Sequence, residues 1–235
     1  MKKAILASTS TLHGQAYLEY LTPHLNDLYG SNKEIIFIPY ARPGGISHEK
    51  YTAKAKDAFK KANLNIKGIH EYKKPVEALE KAEGIFTGGG NTFLLVSELY
   101  RIGIVEVLQK VIAAGTPYMG TSAGTNIGGL TMGTTNDMPI VLPKSFKTLG
   151  LVPFNINPHY LDPDTNSTHK GETRETRIKE FHHFNSQPVV GLREGSWLAL
   201  DNNEVILKGK LSARIFKCNE EAYEVETGTI LTDLN

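Results

Sequence analysis

"TPYMGTSAGTNIGG", residues 116–129, decides the fold. It opens as a short apolar strand, meets a serine set in G-x-S-x-G (Gly120, Ser122, Gly124), and runs on in residues small enough to start a tightly packed helix. Strand, sharp turn and helix in that order are what a nucleophile elbow requires. Small neighbours permit the turn and expose the hydroxyl, and the new helix points free N–H groups at developing negative charge. A glycine turn capped by a serine gives the same pattern with no chemistry. The flanking elements and the presence of a base decide between the two readings.

The first half of the chain alternates apolar runs with helical segments. "KKAILAST" reads as a strand, and residues 15–29 as a helix with Leu18, Leu21, Leu25 and Leu28 on one face, which Pro23 kinks or divides. "KEIIFIPYA" is an apolar run suited to a strand buried on both faces. "HEKYTAKAKDAFKKANL" reads as a helix, "NIKGIHEY" as a weaker strand and "PVEALEKA" as a short helix. "GIFTGGGNT" is a strand running into glycines, and "TFLLVSELYRIGIVEVLQKVIAAG" gives one or two helices before the elbow strand. This rhythm predicts parallel strands with right-handed crossovers and helices on both faces of the sheet. Residues 130–170 read mostly as loop, "THKGETRETRIKEFHHF" as a helix, and residues 188–234 as antiparallel hairpins. Nothing marks a linker or repeat, so residues 1–235 are expected to form one domain.

The bulk numbers exclude several classes. With 40% apolar and 22% charged residues the chain is an ordinary globular one. A net charge of +1 with mixed signs argues against nucleic acid as a partner. The lone Cys218 excludes an internal disulfide framework and a multi-thiolate zinc site, and has no thiolate-stabilising context. No stretch approaches the roughly 18 apolar residues of a membrane span, and "AILA" is too short for a signal peptide. A cytoplasmic protein, monomer or homodimer, is the expectation.

A serine needs a base to take its proton. Of eight histidines, His159 in "FNINPHYLDP" stands apart, in the long loop region with Pro158 restricting the backbone beside it. Two carboxylates compete to orient it. Asp137 in "TTNDMPI" gives the chain order Ser, Asp, His; Glu194 in "GLREGSW" lies at a strand-to-turn boundary. The glycines of "TGGGNTF" (Gly88, Gly89, Gly90, then Asn91) lack the spacing of a dinucleotide site and the lysine of a P-loop. Backbone N–H groups for an oxyanion, paired with that of Ala123, are the better reading, each such donor being worth roughly 3–4 kcal/mol.

Together "GGGNTF", "GTSAGTN", "TTNDMPIV", "INPHY", "HKGETRETRI" and "GLREGSWL" resemble the peptidase E family of aspartyl dipeptidases over nearly the whole chain. The resemblance implies a three-layer α/β sandwich with a mainly parallel sheet, similar to the class I glutamine amidotransferases but with serine in place of their cysteine. It implies hydrolysis of Asp-X dipeptides without metal or cofactor. Ser122 falls on the nucleophile, His159 on the base, Glu194 or Asp137 on the acid, and Gly90 and Ala123 on the oxyanion donors. One departure is Thr121, where bacterial members carry a large aromatic; the smaller side chain is expected to widen or reline the site.

A site selecting aspartate needs a cation, and arginine binds carboxylates in bidentate fashion. Arg174 is the candidate, with Arg177 and Lys170 nearby, set against the reading of a solvated, ion-paired helix. Gly89, Asn91 and Asn136 are candidates to hold the substrate backbone, and Asp137 or Glu172 to accept its α-amino group. Trp197 and Tyr160 read as packing residues. The rivals are a cyanophycinase-like hydrolase of β-aspartyl peptides and a non-catalytic protein of the same fold binding an acidic metabolite.

Overall fold

In the computed structural model, which describes residues 2–31, 33–163 and 171–234, strands and helices alternate in the order β1 (Lys3–Ala7), α1 (Leu25–Tyr29), β2 (Glu34–Ile38), α2 (His48–Lys60), β3 (Asn65–Gly68), α3 (Pro75–Glu80) and β4 (Ile85–Thr87). There follow α4 (Thr92–Arg101), α5 (Val105–Ala113), β5 (Tyr118–Thr121), α6 (Ala123–Asn126), β6 (Asn155–Pro158), α7 (Arg174–Phe181), and β7 (Val189–Leu192) to β11, namely β8 (Ser196–Asp201), β9 (Glu204–Gly209), β10 (Ala213–Phe216) and β11 (Tyr223–Val225). Seven strands form one sheet in the order β3-β2-β4-β5-β1-β8-β9. The first five are parallel, and β8 and β9 close the edge antiparallel.

Successive strand residues point to opposite faces, and here both faces are buried. Ala4, Leu6, Ile36, Ile38, Ile85 and Tyr118 enter a core shared with α4 and α5 through Leu95, Leu99, Leu108 and Ile112. Ile5, Ala7, Ile35, Phe37, Phe86 and Met119 enter the other, against Leu18, Leu21, Leu25, Ala55 and Phe59. Two cores, one per face, make the three-layer sandwich and explain why the strands read as unbroken apolar runs.

Several boundaries differ from the sequence reading. Residues 15–29 are not one helix: a 3-10 segment, Glu19–His24, contains Pro23 and passes into the single turn of α1. The four leucines are nevertheless all buried. "NIKGIHEY" is strand only to Gly68, then a 3-10 turn, Ile69–Glu71. Residues 92–115 are two helices, parted at Gly103 with φ 71°. The helix read from "THKGETRETRIKEFHHF" begins at Arg174 with Thr173 as its cap, while His169 and Lys170 lie outside the described residues.

The largest correction concerns residues 130–170, which hide β6. It pairs in parallel with β7 in a second sheet of order β11-β10-β7-β6, the other pairs being antiparallel. β6 escaped notice because "NINP" has two asparagines and a proline in four residues. All four are buried, with the Asn155 side chain accepting from the Thr131 N–H and donating to Thr131 Oγ1.

Candidate active site

The carboxyl ends of β1, β4 and β5, where open parallel sheets place their ligands, carry Ser8, the Gly88–Gly90 loop and Ser122. Ser122 has φ 54° and ψ −111°, a conformation costing on the order of 1–3 kcal/mol for a non-glycine residue. The surroundings compel it. Its N–H donates to the Ala7 carbonyl at 3.1 Å, and the Thr125 hydroxyl binds that carbonyl and the Gly120 carbonyl at 2.6 and 2.8 Å. A Cβ on Gly120 would strike the Gly124 carbonyl oxygen, and one on Gly124 would strike that of Thr87. The two glycines of G-x-S-x-G are therefore demanded by close backbone approach.

His159 follows β6 directly. Parallel pairing sets Pro158 opposite Leu192, so the residues just past both strands, His159 and Glu194, emerge at the same end. His159 Nε2 lies 2.8 Å from Ser122 Oγ, and Nδ1 lies 2.6 Å from Glu194 Oε1. A carboxylate only accepts, so it fixes the proton on Nδ1 and leaves Nε2 to accept from the serine. The imidazole side chain is 34% exposed and that of Glu194 49%, which leaves the pair open to a substrate.

Asp137 stands elsewhere. Its Oδ2 accepts from the Thr92 N–H at 2.7 Å, from Thr92 Oγ1 at 2.6 Å and from Thr135 Oγ1 at 3.0 Å. Among the described residues it makes no hydrogen bond to His159. It caps α4 and ties residues 135–137 to the glycine loop.

Gly89 packs on the serine: a Cβ there would come within 2.8 Å of Ser122 Cβ. Gly90 has φ 147° and sits against the Ala41 carbonyl, where any side chain would collide. Its N–H and that of Ala123 have no acceptor among the described residues. Both candidate asparagines are committed within the protein. Asn91 caps α4 by accepting from Leu94 N–H and donates to the Met138 carbonyl; Asn136 donates to the Pro158 carbonyl at 2.6 Å and accepts from Asn157. Their side chains shape the site rather than reach into it. Thr121 is fully buried, so it touches the cleft only through packing, contrary to the expectation that it relines it.

Arg174 opens α7 half-buried. Burial, then Arg177, push its guanidinium below the ordinary value, while Asp137 acts in the opposite sense. Among the described residues it has no salt-bridge partner, whereas Arg177 reaches Glu172 at 3.6 Å, both largely exposed.

Three supporting residues escaped the sequence reading. Ser8, fully buried, accepts from the His159 N–H at 2.8 Å and donates to the Leu192 carbonyl at 2.7 Å, tying the paired ends of β6 and β7 to β1. Its one signal was its position just after a central strand. Arg193 binds Asp162 beyond His159, and Glu224 and Ser212 on the far side. Thr92 lay within "GGGNTF", but its role in binding Asp137 was not read from it. Among the described residues no group of three or more His, Cys, Asp or Glu is placed to hold a metal ion, and no helix is long and apolar enough to cross a membrane.

The chain is similar to known proteins. The chain is 47% identical to Peptidase E of Streptomyces coelicolor over 98% of this chain and 93% of that protein. It is 43% identical to the Drosophila melanogaster protein named "Probable alpha-aspartyl dipeptidase", over 99% and 97%. The crystal structure of a peptidase from an acI-B1 Actinobacterium superposes with a TM-score of 0.70 over 98% of this chain and 96% of that one, at 16% identity, a likeness of fold. With residues 4–208 matched by the model of peptidase family S51, the chain belongs to that family.

Proposed function

We propose that this protein is a serine α-aspartyl dipeptidase, folded as one unit and acting in the cytoplasm, in which Ser122, His159 and Glu194 form the triad. The chain of contacts from Glu194 through His159 to the strained Ser122 carries the reading. His159 Nε2 takes the hydroxyl proton as Ser122 Oγ attacks the Asp-X carbonyl. The negative oxygen is met by the N–H groups of Gly90 and Ala123. The proton passes from His159 to the departing amine, leaving an aspartyl ester on Ser122. Water, deprotonated by the same imidazole, attacks the ester and releases aspartate as Ser122 recovers its proton.

Glu194 is the acid because it holds Nδ1, whereas Asp137 is bound by Thr92 at the start of α4 and by its own neighbour Thr135. That leaves Asp137 for substrate: its Oδ1 accepts the α-ammonium group, and Arg174 takes the β-carboxylate. The two charges then select a free N-terminal aspartate, and the short reach excludes longer N-terminal extensions. No cofactor is required by this chemistry.

Release of aspartate from Asp-Leu, with Leu-Leu and β-Asp-Leu as controls, tests the reading. Cleavage of Asp-Leu alone, abolished in Ser122→Ala, is the expected result. Cleavage of the β-linked control instead would move the enzyme to the isopeptide side of the family's chemistry, and no cleavage of any peptide by folded protein would leave a binding protein.

A further inference from the structure

We propose that Tyr51, on the first turn of α2 and remote from the triad in sequence, is the positioning residue of the oxyanion site. The inference rests on the reading of Ser122 as nucleophile. Tyr51 is 2% exposed, yet its hydroxyl makes two hydrogen bonds to a single residue of the glycine loop. It accepts from the Gly89 N–H at 3.0 Å and donates to the Gly89 carbonyl at 3.2 Å. The second bond matters more. The Gly89 carbonyl and the Gly90 N–H belong to one peptide unit, which is trans and planar, so the two groups point in opposite directions. Drawing the carbonyl down to Tyr51 turns the Gly90 N–H the opposite way, away from the ring, in a loop whose Gly89 packs on Ser122.

Besides Tyr51, the loop is held by the packing of Gly90 on the Ala41 carbonyl and by the Asn91 N–H, which donates to that carbonyl at 2.7 Å, but among the described residues neither engages the Gly89 carbonyl or the Gly90 N–H. Three successive glycines impose little preference on their own dihedrals, and Gly90 N–H has no acceptor among the described residues. With φ at 147°, Gly90 occupies a backbone region that glycine alone enters readily. The ring of Tyr51 is itself held rigidly, edge-on to Phe37 at 5.0 Å and under the Arg42 guanidinium at 5.2 Å. A hydroxyl on a locked ring thus sets the direction of the donor that stabilises the intermediate. Tyr51 touches neither substrate nor reacting atoms.

Tyr51→Phe keeps the ring and removes only the oxygen. Assayed on Asp-Leu it is expected to lower kcat about 100- to 1,000-fold, the effect of losing one oxyanion donor, with KM unchanged. The boronic acid in which boron replaces the α-carboxyl carbon of aspartate forms a tetrahedral adduct with the serine, and its affinity should fall by a similar factor. Affinity for aspartate itself should stay at the wild-type value. Gly88→Ala, whose Cβ would lie 2.5 Å from the Tyr51 hydroxyl and displace it, is expected to reproduce the pattern should Tyr51→Phe not fold. Phe37→Leu, a packing control, should lower the melting temperature and spare kcat. Wild-type kcat and boronate affinity in folded Tyr51→Phe would overturn the proposal while leaving the triad standing, as would equal losses for boronate and aspartate. Failure of the wild-type enzyme to cleave any Asp-X peptide would overturn both.

Discussion

The proposed nucleophile and base stand on two sheets built by different means. Ser122 belongs to the seven-stranded sheet, and its position is enforced by backbone: glycines that admit no Cβ, carbonyls in contact, and a φ of 54°. His159 and Glu194 belong to the four-stranded sheet, and their position is enforced by side chains: Ser8 beneath the histidine backbone, Asn136 on Pro158, and Arg193 beside Glu194. Backbone constraints tolerate almost no substitution. Side-chain constraints are replaceable one bond at a time and tune the rate rather than create it.

The comparison can be broken first at its meeting point. Ser122→Ala should lower kcat on Asp-Leu by about 10⁴- to 10⁶-fold with the protein folded, as loss of a triad nucleophile does elsewhere; an aspartate-release assay checks it. On the backbone side, Gly124→Ala drives a Cβ into the Thr87 carbonyl and should cost on the order of 1–3 kcal/mol or more in urea unfolding, with activity lost as well. On the side-chain side, Ser8→Ala leaves the His159 N–H and Leu192 carbonyl without their buried partner. About 1–3 kcal/mol of stability is at stake, and kcat should fall by no more than ~100-fold through a shifted imidazole. Should Ser8→Ala prove as damaging as Ser122→Ala, the distinction between the two sheets fails.

Much of the first sheet was legible because its constraints are written in local composition. Glycines at 120 and 124, alternating apolar strands and an elbow serine leave few alternatives. Ser122 and the Gly88–Gly90 loop could be read from that pattern, and His159 became visible only beside them. The second sheet was far less legible. "NINP" gives no strand signal, since its asparagines are bound by Thr131, Thr134 and Asn136 at a distance. The choice between Asp137 and Glu194 depends on β6 pairing with β7, a contact between segments some thirty residues apart that no periodicity records. The committed amides of Asn91 and Asn136, and the burial of Thr121, were invisible for the same reason.

The smallest effect is expected at the ion pairs of Arg193, the residue before Glu194. The Arg193 guanidinium holds Glu224 down at about 2, and Arg193 also grips Asp162 in the segment after His159. A depressed carboxylate contributes stability that is fully present above its ordinary value near 4.5 and is lost as pH falls through about 2. Glu224→Gln should therefore flatten the fall in melting temperature across that acid window and leave it nearly unchanged at neutral pH. The carboxylate is partly exposed, so the shift should be a small one.

The most direct measurement is kcat and KM on Asp-Leu for Glu194→Gln beside Asp137→Asn. With Glu194 as the triad acid, Glu194→Gln should lose about 10²- to 10⁴-fold in kcat at nearly constant KM, and Asp137→Asn should act mainly on KM. A kcat collapse in Asp137→Asn with Glu194→Gln spared would contradict it and make Asp137 the acid.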